Sequence, residues 1–159
     1  MIIRTTREGL DTGNVDMDIP KVGKSQDGRE MHYSVGAVIK RDDKYLLVER
    51  AIYPPGFAGL AGHVDDGETE VDALIREVKE ESGLDVVKYK KLLEEEVDWN
   101  ECSRGIGVHY WYLFECETTG EPKRNERESR SIDWYSPKEI KELNLEPVWK
   151  YWFEKLGII

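Results

Sequence analysis

Cysteine and histidine, the side chains that build most structural zinc sites, are scarce in this chain of 159 residues. The two cysteines, Cys102 and Cys116, form no CxxC pair, and the three histidines, His32, His63 and His109, are scattered along the sequence. That spacing matches no zinc-binding pattern, so a structural zinc site is not expected. The cysteines are interpreted as packing thiols of a reducing compartment, with a disulfide between them as the alternative.

Long apolar segments are also missing. No run approaches the roughly 18 residues that a helix needs to cross a bilayer, and the start, MIIRTTREGLDTG, lacks the apolar core of a secretory signal. We therefore expect a cytoplasmic protein with no membrane partner. The length favours one compact domain with a sizeable core.

Basic residues are fewer than acidic ones, at 23 Lys and Arg against 33 Asp and Glu, which gives a formal net charge of -10. Nucleic-acid binding depends on clustered basic side chains that neutralise phosphates. A nucleic-acid partner is therefore not expected. The excess carboxylates either form solvated surface, as most Asp and Glu do, or include groups that hold cations.

Strand-like segments surround one long helical segment. Strands are predicted at residues 33–40, 45–49, 85–97, 106–117 and 131–135. Residues 51–62 are rich in proline and glycine and are predicted to form a loop. Pro137 and Pro147 are predicted to open two short helices, which end near Leu143 and Leu156. This order indicates a mixed α+β or α/β fold.

The long helix is predicted over residues 69–82. An apolar stripe recurs there at the spacing of one helix face, at Val71, Leu74, Ile75 and Val78. Thr69 and Asp72 form a candidate capping box at the start of the helix. Gly83 is a natural stop at its end.

Three glutamates of this helix suggest a function. Glu77, Glu80 and Glu81 lie at i, i+3 and i+4, so their carboxylates converge on one helix face and repel one another. A divalent cation would remove that repulsion, and carboxylate oxygens suit Mg²⁺ or Mn²⁺. Taken alone, such a triplet is more often a solvated acidic face.

The surrounding residues change this interpretation. The spacing is G-x5-E-x7-R-E-U-x-E-E-x-G-U, where U is aliphatic, and the fixed positions are Gly62, Glu68, Arg76, Glu77, Val78, Glu80, Glu81, Gly83 and Leu84. This segment resembles the Nudix box, and the chain is similar to the Nudix hydrolases over residues 32–156. The resemblance implies an α/β/α sandwich with a mixed central sheet, in which residues 32–159 form the hydrolase domain. Residues 1–31 are then expected to be an N-terminal extension that packs on this domain.

The resemblance also implies roles for the box residues. The positions that match the metal ligands are Glu77, Glu80 and Glu81. Gly62 is expected to allow a tight loop whose backbone carbonyl faces the metal. Glu68 and Arg76 match a supporting pair that fixes this loop to the helix.

One further carboxylate is expected from outside the box. Glu128 stands six residues before Trp134, which matches a late metal ligand or base in relatives, and Glu126 is the alternative. The proton of the attacking water could pass to Glu80, Glu81 or Glu128.

The reaction that the resemblance implies is hydrolysis of a phosphoanhydride bond in a nucleoside diphosphate linked to another group. Signatures of the ADP-ribose, diadenosine-polyphosphate and NADH types are missing, so a nucleoside triphosphate, with an intact or an oxidised base, or a nucleotide sugar stays open. Candidate substrate contacts are Tyr53, Phe57, His63, Trp99, Tyr110 and Trp111. Many relatives are homodimers, so a homodimer is expected.

Two other functions are compatible with this fold. A non-catalytic module that senses a nucleotide would commonly lose box glutamates, and this chain keeps them all. An isoprenoid diphosphate isomerase would need a cysteine in a loop upstream of the box, and both cysteines of this chain follow the box. Catalytic hydrolysis is therefore the favoured interpretation.

Overall fold

One sheet organises the molecule, and the computed structural model describes residues 18–159 of it. The strands are β1 (Val22–Lys24), β2 (Glu30–Arg41), β3 (Lys44–Arg50), β4 (Gly56–Ala58), β5 (Leu60–His63), β6 (Asp85–Val97), β7 (His109–Thr119) and β8 (Ser129–Tyr135). The helices are α1 (Glu70–Ser82), α2 (Pro137–Lys141) and α3 (Pro147–Lys155).

The long strand β2 is the centre of the sheet. β7 runs parallel along one edge of β2, and β6 pairs antiparallel with β7. β1, β5 and β3 pair antiparallel with successive parts of the other edge, while β4 and β8 pair with β3. Parallel and antiparallel pairs therefore occur together, which confirms the mixed α+β architecture predicted from the sequence.

Two apolar clusters lie on opposite faces of β2, because successive side chains of a strand point to opposite sides. Val35 belongs to the cluster that contains Leu74 and other residues of α1. Val38 belongs to the cluster that contains Trp149 and other residues of α3. The two helices therefore cover the two faces of the sheet, as the α/β/α arrangement requires.

Helix α1 begins and ends as predicted. The Thr69 hydroxyl accepts a hydrogen bond from the Asp72 N–H at 3.0 Å, and the Asp72 carboxylate accepts one from the Thr69 N–H at 3.2 Å. Gly83 ends the helix with a φ of 75°. One part of the predicted stripe is wrong, because Ile75 is 44% exposed. The buried face runs on to Glu81 instead, so apolar and acidic residues share one side of the helix.

The loop predicted at residues 51–62 is wrong in its second half, where β4 and β5 lie. The glycines there permit close packing rather than irregular backbone. A Cβ at Gly59 would lie 2.5 Å from the Trp149 ring, and one at Gly56, whose φ is 121°, would lie 2.6 Å from the Glu146 backbone nitrogen.

Residues 18–31 belong to the expected N-terminal extension, and they contact the rest of the chain. The Lys21 N–H donates to the Val64 carbonyl, and the Asp66 N–H donates to the Ile19 carbonyl, both at 2.8 Å. β1 adds a strand beside β2, which begins at Glu30. Residues 1–17 lie outside the described residues. Between residues 18 and 159, every helix is too short or too polar to cross a bilayer.

Candidate active site

A cavity of about 300 Å³ lies where α1, β5 and the loop before β7 meet. Its carboxylates come from Asp18, Glu77, Glu80, Glu81, Glu101, Glu128 and Glu146. Two arginines, Arg50 and Arg104, also line it. Because acidic side chains outnumber the basic ones, the cavity is suited to attract cations.

Arg76 holds the acidic groups of the box in place. Its Nε and Nη2 atoms donate to the two carboxylate oxygens of Glu68 at 2.7 and 2.9 Å, in the pairing expected from the sequence. The same guanidinium donates to Glu77 at 2.8 Å, to Glu80 at 3.3 Å and to the His63 carbonyl at 3.0 Å. One rigid fork therefore joins the end of β5 to two helix glutamates.

Glu81 is the most buried of the three helix glutamates, with 7% of its surface exposed. Its Oε1 accepts a hydrogen bond from the Ala61 N–H at 2.9 Å, and it forms no ion pair with any residue from 18 to 159. Burial raises the pKa of Glu81 well above its usual range, and the neighbouring charge of Glu77 raises it further. Burial also raises the pKa of Glu77 to about 8, against the opposing effect of Arg76. Two desolvated carboxylates therefore lie side by side, and of the two only Glu77 has a direct ion pair among the residues that the structure describes, with Arg76 at 2.8 Å.

Gly62 lies in strand β5, so the tight loop expected at this residue is wrong. It pairs with Val35 of β2. A Cβ at Gly62 would lie 2.0 Å from the carboxyl carbon of Glu77. A side chain at this position would displace the Glu77 carboxylate, which rests directly on the strand.

Glu128 lines the cavity together with the helix glutamates. Its segment is attached to the end of α1 by Asn125, whose Nδ2 donates to the Glu80 carbonyl at 3.2 Å. After burial, which is the largest cause, the charge of Glu128 contributes to the raised pKa of all three helix glutamates. The alternative, Glu126, is exposed, pairs with Arg124 at 3.6 Å and lies away from the cavity.

Three of the expected substrate contacts line the cavity, namely Tyr53, His63 and Trp111. Tyr53 is 57% exposed, so the face of its ring is available to a ligand. Trp111 is only 5% exposed, and its Nε1 donates to Asn100 Oδ1 at 3.1 Å. Trp111 therefore shapes the wall of the cavity more than it offers a stacking surface.

The other three expected contacts lie away from this cavity, and their assignment as substrate contacts does not fit it. Phe57 packs edge-on against Tyr135, and Trp99 packs edge-on against Tyr151. The hydroxyl of Tyr110 donates to a carboxylate of β6 at 2.7 Å. Each of these rings is engaged in packing or hydrogen bonding elsewhere in the fold.

Sequence reasoning missed Glu146 and Arg50 as residues of the cavity. Glu146 is 4% exposed, and its Oε1 lies 4.0 Å from Arg50 Nε, which also donates to the Pro54 carbonyl at 2.7 Å. Burial raises the pKa of Glu146 to about 7, and Arg50 opposes this shift. Because Glu146 directly precedes Pro147, its local sequence looks like an ordinary helix start.

The three histidines that are scattered in the sequence come together with Cys102 at the cavity. One ligand atom from each of the four side chains lies within 4.8 Å of the others. The parallel register of β2 and β7 places His32 beside His109, a proximity that linear spacing does not indicate. Burial lowers the pKa of His63 to about 3 and that of His109 to about 4, so these rings are neutral near pH 7.

Comparisons with known proteins converge on one family. A family model described as the NUDIX domain matches residues 30–156. The chain is 32% identical over 119 residues to a CTP pyrophosphohydrolase of Escherichia coli (strain K12), with 71% of this chain and 82% of that protein covered. It is 44% identical over 62 residues to an ADP-ribose pyrophosphatase of Methanocaldococcus jannaschii, with 38% of this chain and 36% of that protein covered.

The fold is also similar to solved structures. The crystal structure of a MutT NUDIX hydrolase from Burkholderia pseudomallei superimposes with a TM-score of 0.69 at 21% identity, and the match covers 78% of this chain and 96% of that one. At this identity the likeness concerns the fold alone. The aligned region spans only about a third of the length of two relatives, 36% of the Methanocaldococcus jannaschii protein and 34% of a Caenorhabditis elegans nudix hydrolase.

Proposed function

This chain belongs to the NUDIX family, and on that basis we propose that it hydrolyses a phosphoanhydride bond of a nucleotide derivative with a divalent cation. The observation that carries this proposal is the buried carboxylate of Glu81, which lies beside Glu77 without an ion pair among residues 18–159. Within this pair, Arg76 supplies positive charge to Glu77 alone, and a divalent cation would offset the charge of Glu81 as well. An anionic phosphoanhydride needs the same cation to enter an acidic cavity.

The donor set fits Mg²⁺ or Mn²⁺. Carboxylate oxygens dominate this end of the cavity, and hard divalent ions prefer oxygen ligands. The ligands that we propose are Glu77, Glu80 and Glu81, together with the backbone carbonyl of Gly62. When bound, the ion neutralises phosphate charge and lowers the pKa of a bound water.

Neighbouring groups orient these donors before any ligand arrives. Arg76 fixes one oxygen each of Glu77 and Glu80, and its pairing with Glu68 fixes Arg76 in turn. The Ala61 N–H holds one oxygen of Glu81. Supporting contacts of this kind reduce the reorganisation that binding requires.

We propose Glu128 as the group that accepts the proton of the attacking water. Within the described part of the chain, its carboxylate makes no hydrogen bond, whereas Glu80 is engaged by Arg76 and Glu81 by a backbone N–H. A carboxylate that is free on the cavity wall can approach a water beside the phosphate. Glu80 and Glu81 are the alternatives.

A nucleoside triphosphate is the substrate class that we favour. Tyr53 offers an exposed aromatic face at the cavity to a nucleobase, and Arg50 and Arg104 can pair with phosphate oxygens. The relative named as a CTP pyrophosphohydrolase, which aligns over most of its length, supports this choice. A nucleotide sugar is the second candidate, supported by the relative named as an ADP-ribose pyrophosphatase.

The test is hydrolysis of a panel of nucleoside triphosphates, oxidised triphosphates, ADP-ribose and nucleotide sugars with Mg²⁺ or Mn²⁺. Chromatography of the products identifies the cleaved bond. We expect Glu81→Gln to lower kcat by at least about 100-fold, because it removes a charge that holds the cation. The matched control is Glu126→Gln, which should keep wild-type activity because Glu126 is exposed outside the cavity. Full activity of folded Glu81→Gln would remove the proposal.

The same panel tests the rival functions. Cys102 lines the cavity although it follows the box in sequence, so isopentenyl diphosphate belongs in the panel as an isomerase substrate. Nucleotide binding without turnover would support a sensing module instead. The homodimer also stays a prediction, and light scattering of the purified chain measures it.

A further inference from the structure

A second set of metal-ligating side chains comes together at the cavity, which three of its four members line. His32 lies on β2, His63 on β5, His109 on β7, and Cys102 on the loop before β7; one ligand atom of each lies within 4.8 Å of the others. We propose that these four residues bind a transition-metal ion of the Zn²⁺ class, and that the ion fastens the loop carrying Cys102 to the sheet. This site goes beyond the proposed hydrolase and does not depend on it.

The spacing of the ligand atoms suits a four-coordinate site after a small adjustment. The Nε2 atoms of His63 and His109 are 3.5 Å apart. With Zn–N bonds of 2.0–2.1 Å, two nitrogens of a tetrahedral site lie about 3.4 Å apart. The two imidazoles therefore already have the required spacing, and the widest pair in the cluster needs to close by roughly 1 Å.

The burial of the rings points to a ligand rather than to ordinary packing. His32 and His109 are 5% and 2% exposed. Among residues 18–159, the Nδ1 of His32 has no hydrogen-bond partner, and no carboxylate hydrogen-bonds to any of the three rings. Buried polar atoms without partners cost free energy, so they are rare without a role. Imidazole and thiol groups share the ability to bind Zn²⁺.

Cys102 gives this cluster a cation preference unlike that of the glutamates. Thiolate and imidazole ligands favour Zn²⁺ and similar ions, whereas carboxylates favour Mg²⁺ or Mn²⁺. The two donor sets therefore favour different ions. Arg104 lies two residues from Cys102, and its positive charge disfavours a cation nearby. A metal-bound thiolate of Cys102 would carry a negative charge that offsets this repulsion.

The position of Cys102 gives the bound ion a structural consequence. Cys102 lies in a tight turn, where its N–H donates to the Ile106 carbonyl at 3.0 Å and its carbonyl accepts from the Gly105 N–H at 2.9 Å. Residues 100–104 line the cavity, whereas the histidines lie on the sheet. Ligation by Cys102 therefore fixes one wall of the cavity to the rigid frame of the fold.

Cobalt(II) is the probe for this site, because a cysteine ligand gives it a thiolate-to-cobalt absorption band. Reduced, metal-stripped protein is titrated with Co²⁺ in excess Mg²⁺, which occupies the carboxylates. We expect a band that saturates at one Co²⁺ per chain and is abolished when Zn²⁺ displaces the cobalt. Cys102→Ser should remove the band and weaken Zn²⁺ binding by more than about tenfold.

Two control variants make the result specific. Cys116→Ser should keep the band, because Cys116 is buried in the apolar core beneath α1 and is not one of the four proposed ligands. Glu81→Gln should keep it as well, which separates this site from the carboxylates. Absence of the band in the wild-type protein, or its survival in Cys102→Ser, would overturn the proposed site.

Hydrogen exchange tests the fastening of the loop. Amides of residues 101–106 should exchange more slowly with Zn²⁺ in the wild-type protein and in Cys116→Ser, but not in Cys102→Ser. Exchange that does not respond to Zn²⁺, in a protein that shows the cobalt band, would overturn the effect on the loop while leaving the site.

Discussion

Replacing Glu81 by glutamine should stabilise the metal-free protein and remove most of its response to divalent cations. Glu81 is almost fully buried beside Glu77 and has no ion pair among the described residues. Glutamine keeps the shape of the side chain and an oxygen that can accept from the Ala61 N–H. The substitution therefore removes a charge while it preserves the packing.

The effect depends on pH, and the direction follows from the raised pKa values. The pKa of Glu77 is about 8 in the folded protein against an ordinary value of 4.5, and burial raises the pKa of Glu81 as well. Between pH 4.5 and about 8 the folded protein holds more protons than the unfolded chain, so its stability falls as the pH rises. His63 and His109 act in the opposite direction, but only below their usual pKa of 6.5. The carboxylates therefore dominate from about pH 6.5 to 8.

The magnitude follows from the same shift. For Glu77 alone, a pKa of about 8 corresponds to about 5 kcal/mol of lost stability at pH 8. Glu81 is still more buried and carries a cost of the same kind, and glutamine removes its charge. Because the site can relax around a buried charge, we expect a gain of about 2 to 3 kcal/mol. For a domain of this size, that gain raises Tm by about 4–12 °C.

Calorimetry in EDTA and in Mn²⁺ measures both effects. At pH 8 in EDTA, Glu81→Gln should melt above the wild-type protein, and the difference should shrink at pH 5. Mn²⁺ at about 100 times its Kd should stabilise the wild-type protein by about 2.7 kcal/mol and the variant much less. Glu126→Gln should behave like the wild-type protein in every condition. A variant that melts below the wild-type protein in EDTA at pH 8, or that gains equally from Mn²⁺, would refute the reasoning.

Three further outcomes are expected. Gly62→Ala should lower Tm and kcat, because its Cβ meets the carboxylate 2.0 Å away, while Gly107→Ala, which meets nothing within 4 Å, should keep the wild-type Tm. Arg76→Lys should lower kcat by about 10- to 100-fold in steady-state assays, because an ammonium cannot form the same fork; unchanged kcat would contradict this. Tyr53→Ala should raise KM for the nucleotide and retain kcat, because about 1–3 kcal/mol of stacking free energy is lost. Tyr89→Ala should leave KM unchanged, because Tyr89 is remote from the cavity.

Helix α1 and its acidic face could be predicted because their signals are local. The capping box of Thr69 and Asp72, the stop at Gly83 and the spacing of the glutamates all lie within a few turns of one helix. The contact between Arg76 and Glu68 is also short in sequence. Local hydrogen-bonding and spacing rules fix such features without knowledge of the sheet.

The features that the sequence did not predict depend on pairing between distant segments. His32 meets His109 only through the register of two parallel strands, and Glu146 reaches the cavity only because α3 packs behind the sheet. Gly59 looked like a loop residue, although it lies in a strand-rich segment where Trp149 leaves no room for a side chain. Glycine content alone does not distinguish irregular backbone from close approach.

The packing of Trp149 has a consequence for synthesis on the ribosome. Its ring fills the space in front of Gly36 and Gly59. The apolar cluster on this face of the sheet is therefore covered only when α3 packs on it. A nascent chain that has emerged as far as residue 146 already contains the whole box, yet Val38 and Leu113 lack their covering helix. Such a chain exposes apolar side chains that chaperones can bind, and emergence and docking of the following helix end that exposure.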